Sequence, residues 1–236
     1  VWILGAFVVI SLIHFLGQVG PYDYIKNAPE GSALPVALSA IGLVCALFVM
    51  LYTGALLSAS KGYPFWRTGV LPVLFMISAT FTGLLATMIA AVAVDQSAIT
   101  ATHLRNMALV GAGLVLVELV TILFFLHAAY RTADTREAAQ TMAKSGSFIF
   151  GDLILGQFVP LIIFMVMYFG MAEAEVASLV TAGMVAAVLG LLGGLLLRLA
   201  VLGAGMSTSL EVGGWKFRNP AIAPPVSWPV GKLPPS

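Results

Sequence analysis

The sequence predicts an all-α, polytopic membrane protein: a transmembrane bundle of about six helices followed by a proline-rich tail. Three observations predict it. Charged residues make up 9% of the chain and apolar residues 60%, whereas a soluble domain carries about 25% charged residues. The mean hydropathy is +1.04. The apolar residues are also gathered into continuous runs, and a run of roughly 20 residues crosses a bilayer as a helix, because lipid offers backbone groups no water to bond.

Residues 1–17, VWILGAFVVISLIHFLG, have no initiating Met and no polar n-region, so they are not a signal peptide. They read as the tail of a helix whose beginning is missing. Two uncharged runs follow at 34–59 and 69–94, and three more spans are expected near 106–130, 147–172 and 176–203. The membrane domain is therefore expected over 1–205, with a tail at 206–236 that ends in NPAIAPPVSWPVGKLPPS, extended and Pro-rich. In the last span Ala182, Ala186, Gly190 and Gly194 recur every four residues, a stripe that lets another helix approach closely. The single cysteine, Cys45, lies inside a span and reads as a small apolar residue; it makes no intrachain disulfide and cannot hold an iron–sulfur cluster. The net charge of +1 gives no argument for nucleic acid, and no such partner is expected.

Charge sets the orientation. Alternating spans put 18–33, 95–105 and 173–175 on one side, and 60–68, 131–146 and the tail on the other. The second side holds Lys61, Arg67, Arg131, Arg136, Lys144, Lys216, Arg218 and Lys232, the first only Lys26 and Arg105. Cytoplasmic loops carry the excess of Lys and Arg, so 60–68 and the tail are expected in the cytoplasm of a prokaryotic inner membrane. The hairpin SASKGYPFWRTGVLP between the second and third spans then reads as an interfacial turn. Gly62 and Gly69 allow turn conformations, Pro72 falls in the first turn of the next helix, and Phe65 and Trp66 suit the headgroup layer.

This hairpin is more specific than a turn requires. YTGALLSASKGYPFWRTGVLPVLFMISATFTG, Tyr52–Gly83, resembles the signature of the NrfD/PsrC family, the membrane subunits of polysulfide reductase-like complexes. The matching residues include Tyr52, Thr53, Gly54, Ser58, Lys61, Gly62, Pro64, Phe65 and Trp66, then Leu71, Pro72, Phe75, Ser78, Thr82 and Gly83. LGGLLLRLAVLGAG (Leu192–Gly205) is similar to the close of the family's last helix, and VWILGAFVVIS to its third helix. The resemblance implies eight or more spans, of which this chain would hold the third to the eighth. It also implies a haem-free quinone-reactive anchor, with menaquinone or ubiquinone as bound substrate and no haem or iron–sulfur cluster of its own. The partners it implies are an iron–sulfur subunit with [4Fe-4S] clusters and a molybdopterin or other redox catalytic subunit. Whether the chain counts as an enzyme is open, since it would be a non-catalytic or quinone-site subunit.

Ionisable groups within a membrane are costly and are functional candidates by default. Glu118 sits near the middle of its span, and Asp152 and Arg198 each lie five residues from the inner end of theirs. At about 1.5 Å per residue the last two share a depth near 8 Å, which allows an ion pair. The same three residues, with Ser78 and Thr82, alternatively form a proton route. At the outer side the candidates are His14, Gln18, Tyr22, Tyr24, Asp95, His103 and Arg105. Quinone reduction consumes two electrons and two protons, and a histidine both donates to a carbonyl oxygen and titrates near neutrality. His14, supported by Gln18 and Tyr22, is the leading quinone-binding candidate; His103 and Arg105 are candidate partner-docking residues. His127 reads as interfacial. Three histidines at no repeated spacing argue against a b-type haem site, and no phosphate loop, metal motif or nucleophile triad occurs. The competing class is an ion or solute transporter or channel, with Glu118, Asp152 and Arg198 lining its path. Pro160 interrupts one span, but no internal repeat supports that reading.

Overall fold

The protein's computed structural model describes residues 2–18, 29, 32–60, 63–94, 99–170, 175–206, 210–212 and 215–217. Five of its helices are long and apolar enough to cross a membrane, and a shorter apolar one precedes them. These are α1 (Trp2–Gln18), α2 (Ala33–Ser58), α3 (Val70–Val94), α4 (Ala101–Arg131), α6 (Ser147–Gly170) and α7 (Val176–Met206). An extra helix, α5 (Ala133–Lys144), follows α4. It is short and strongly amphipathic, and it buries Ala138, Ala139 and Met142 against the bundle while Arg136, Glu137 and Thr141 face outward. Beyond α7, β1 (Leu210–Val212) pairs antiparallel with β2 (Trp215–Phe217).

The helices run antiparallel in sequence, and two apolar clusters prove it. One cluster joins Phe65 and Trp66 of the hairpin to Phe125 and Ala129 near the end of α4, Phe148 at the start of α6, and Val201 and Ala204 near the end of α7. The other joins Met88, Leu104, Phe164, Met167 and Leu179, from the opposite ends of α3, α4, α6 and α7. Each of these four helices thus contributes to both clusters, with a short stretch between. The helix pair α1–α2 packs on the outside: α1 lies against α2, and α2 against α3.

Close crossings depend on glycine at a few places. A Cβ on Gly54 would collide with the backbone of Pro72, so α2 and α3 touch main chain to main chain just above the hairpin. Gly156 of α6 and Gly193 of α7 meet in the same way. The small-residue stripe on α7 faces α3: Gly190 rests on Leu85 and Phe81, and Gly194 on Thr82. Such contacts let helices associate in a medium where burying apolar surface gives no advantage.

Two features depart from the sequence reading. Phe65 and Trp66 are not in the headgroup layer: they are 0% and 7% exposed. A 3-10 turn, Pro64–Trp66, folds both rings under α5. Phe65 meets Phe125 edge to face at 5.1 Å. The Trp66 indole donates from Nε1 to the carbonyl of Val201 at 3.0 Å, which gives its polar atom a partner inside the protein instead of at the lipid surface. The second departure is in α6, which is π-helical over Ser147–Phe158, α-helical over Val159–Met165, and π-helical again over Val166–Gly170. Pro160 lies at the first junction; its ring has no N–H for the α ladder and crowds the carbonyl four residues back, so a wider preceding turn relieves the clash.

Candidate functional site

Between the two apolar clusters lies a layer of buried polar side chains. Ser78 of α3, Glu118 of α4, and Asp152 and Gln157 of α6 are each essentially inaccessible, Glu118, Asp152 and Gln157 at 0% exposure. Half-buried Thr82 and Arg198 complete the set from α3 and α7. The two consecutive glycines Gly193 and Gly194 make the layer possible. One admits the α6 backbone at Gly156, the other admits Thr82 with Ser78 just beyond it. Both neighbours of α7 are therefore drawn in at the level where the polar groups stand.

Asp152 and Gln157 are five residues apart, and Gln157 donates from Nε2 to Asp152 Oδ1 at 3.5 Å, a long contact. In an α-helix residues five apart lie about 140° from each other around the axis, at 100° per residue. The π turn, whose backbone bonds join residues five apart, brings them closer to one face. Glu118 is approached by Gln157 and Ser78 and lies in the field of the Arg198 guanidinium. Neither contact meets normal hydrogen-bond geometry: both Glu118 carboxylate oxygens, Ser78 Oγ, Asp152 Oδ2 and Gln157 Oε1 are buried without a hydrogen bond to protein. Native interiors satisfy nearly all such atoms, so a cluster of them marks a place where something other than packing is at stake.

The direct Asp152–Arg198 ion pair expected from equal depth does not form. Arg198 donates from Nη2 to Thr82 Oγ1 at 3.4 Å, and its charge acts on Glu118. The physical reason lies in direction: equal depth fixes height along the bundle but not the side of the helix from which a group projects. Asp152 turns toward Gln157 and Glu118, whereas Arg198 reaches past Gly194 to α3. Thr82 also returns its own hydroxyl to the backbone carbonyl of Ser78 at 2.9 Å.

The other candidates are scattered. His14 is half-buried in an open groove of about 460 Å³ between α1 and α2, among Phe7, Ile10, Ser11, Phe15, Ser39 and Gly42. The side chain of Gln18 and all of Tyr22, Tyr24 and Asp95 lie outside the described residues. His103 is exposed on the first turn of α4, where its backbone N–H is capped by Thr100 Oγ1, and Arg105 is half-buried nearby. His127 is exposed on the outer face of α4 beside Val120, Leu123 and Phe124. The polar layer therefore unites Glu118, Asp152 and Arg198, while His14 stands apart from it. Gln157 was missed in the sequence, although an amide five residues after an intramembrane aspartate was a readable signal.

The comparison with protein families matches residues 7–210 to the model described as "Polysulphide reductase, NrfD". That covers the bundle almost entirely, hairpin and polar layer included. The chain belongs to the NrfD family. No curated protein and no solved structure matches it. As an NrfD protein it is an integral membrane subunit of the reductase-complex type, which supports a membrane-anchoring role. Family subunits generally interact with quinone and typically partner with iron–sulfur and molybdopterin subunits. Tyr52–Gly83, on which the resemblance first rested, holds two of the observed constraints: the Gly54–Pro72 crossing and the inward turn of Phe65 and Trp66.

Proposed function

We propose that this NrfD subunit exchanges electrons between the membrane quinone pool, menaquinone or ubiquinone, and an iron–sulfur subunit with [4Fe-4S] clusters, itself joined to a molybdopterin or other redox catalytic subunit. The family membership carries the reading, and the groove at His14 supports it. A volume of about 460 Å³ falls in the range of small-ligand sites, roughly 300–1,000 Å³. Its walls are apolar, with His14, Ser11 and Ser39 as the polar groups, as a ring bearing two carbonyl oxygens requires. When a quinone is reduced there it takes up two electrons and two protons. His14 is assigned as a donor to a carbonyl oxygen, and Gln18 and Tyr22 as its supports. His103 and Arg105 are assigned to partner docking.

The same reading puts the hairpin end, with Arg67, Arg131 and Arg136, at the cytoplasmic side of a prokaryotic inner membrane, following the charge bias. Asp152, Glu118 and Arg198 then serve a proton route from that side, with the Arg198 charge offsetting the negative charge left behind when a carboxyl releases its proton. The deciding measurement is quinone-coupled turnover of the intact assembly with His14→Phe. A loss of about tenfold or more is expected, equivalent to roughly 1.4 kcal/mol of barrier. Activity with an artificial electron carrier that bypasses this subunit should survive. Unchanged quinone-dependent turnover would remove His14 from the site.

A further inference from the structure

The polar layer holds two carboxyl groups and, close to both, a group of different chemistry. Carboxyls exchange protons readily, as do imidazoles and water chains. A carboxamide does not, because passing a proton through it requires an imidic-acid form far above the amide in energy. The Gln157 side chain approaches both Glu118 and Asp152 and is bonded to the latter at 3.5 Å. It is completely buried, and its Oε1 has no hydrogen bond to protein. The groups approaching this layer include Ser78 and Thr82 on α3 and Arg198 on α7, while Thr121 lies buried one turn along α4 from Glu118. Thr82 and Thr121 give their hydroxyl protons to the backbone of their own helices, at 2.9 and 2.7 Å. Arg198 is a fixed charge. Among these neighbours Gln157 is the one that approaches both carboxyls.

We propose that Gln157 is a gate: its amide separates Glu118 from Asp152, and it must move before a proton passes between them. The inference rests on the proton-route reading above. In the step, one O–H bond breaks at one carboxyl and one forms at the other, so the net charge of the layer does not change. The π turn supplies the device. Gln157 stays close to Asp152 only while residues 152–157 keep π geometry. Relaxing that stretch to an α-helix would leave Gln157 about 140° from Asp152 around the axis, carrying the amide away from it. Pro160 and the Gly156–Gly193 contact lie at the same turn, so a displacement of α7 against α6 reaches the gate directly.

The test uses the assembled complex in liposomes, with passive proton conductance read under an imposed potassium diffusion potential. Gln157→Glu replaces the amide by a group that exchanges protons. It should raise conductance at least about tenfold, a threshold set below the roughly 10²-fold that a positioned acid–base group contributes at the low end. Adding Glu118→Gln to that variant should return conductance to the wild-type level, which a leak from damaged packing would not do. Should Gln157→Glu fail to assemble, Gln157→Asn, which keeps the amide but shortens its reach, should raise conductance several-fold. Wild-type conductance in the assembled variant overturns the gate, as does a leak that persists without Glu118. The underlying reading fails separately: if Glu118→Gln and Asp152→Asn each leave turnover-linked proton uptake intact, no route passes through this layer.

Discussion

Replacing Gly193 by Ala adds one methyl group where α7 meets α6, and the structure gives its consequence. The new Cβ would collide with Gly156 Cα and lie 3.1 Å from its carbonyl carbon and 3.3 Å from its oxygen. All three neighbours are backbone, so no side chain can swing aside. To restore ordinary contact the helices must separate by on the order of 1 Å, and a gap of that size forfeits up to about half of each dispersion contact along the seam. Overpacking of this kind costs about 1–3 kcal/mol, and a rigid neighbour places it at the upper end. A control isolates the effect. Gly203 lies on the same helix with nothing within 4 Å of its would-be Cβ, so Gly203→Ala should be neutral or stabilising by up to roughly 1 kcal/mol through helix propensity. The assay is reversible unfolding of the purified subunit in mixed micelles, followed by tryptophan fluorescence. Equal stability of Gly193→Ala and Gly203→Ala would refute the account of the α6–α7 crossing.

Trp66→Phe removes the buried indole donor to Val201 and should cost about 1–2 kcal/mol in the same assay; a change within a few tenths would show that the hydrogen bond contributes nothing. A double-mutant cycle on Glu118 and Arg198 should give a coupling of about 0.5–3 kcal/mol, larger than that for Asp152 and Arg198, because the guanidinium acts on Glu118. Equal or reversed couplings would restore the Asp152–Arg198 clasp.

The bundle was legible because lipid makes hydropathy almost sufficient. Every expected span became a helix, with ends shifted by a few residues, as at Ala101 where 106 was expected. The alternation of sides expected of successive spans agrees with the two apolar clusters, which join opposite ends of the helices. What hydropathy does not encode is azimuth. Depth arithmetic put Asp152 and Arg198 at one level, but the partner of Arg198 depends on which way α7 is rotated. That rotation is set by Gly193 and Gly194, whose roles emerge only once the neighbouring helices are in place. The π geometry of α6 was equally hidden, since Pro160 signals an interruption but not its form. Phe65 and Trp66 were misplaced for a related reason: aromatic residues beside Lys and Arg suit the interface, and only the 3-10 turn and α5 reveal a buried site for them.

The hairpin posed a question of its own, because an interfacial turn needs no particular aromatic pair. Its residues work as spacers for the layer above them. Gly54 against Pro72 fixes how closely α2 and α3 cross, and so where α3 begins its climb to Ser78 and Thr82. Trp66 packs on Gly205, where any Cβ would strike its ring, and bonds to Val201 one turn beyond Arg198. The hairpin is thereby tied to α3 covalently and to α7 by packing and a hydrogen bond. The height of Thr82 relative to Arg198 follows from those two attachments. Loosening either would shift α3 against α7 and draw Thr82 from the guanidinium, at 3.4 Å already a long contact. The hairpin signature thus holds in register the helices that carry the buried charges.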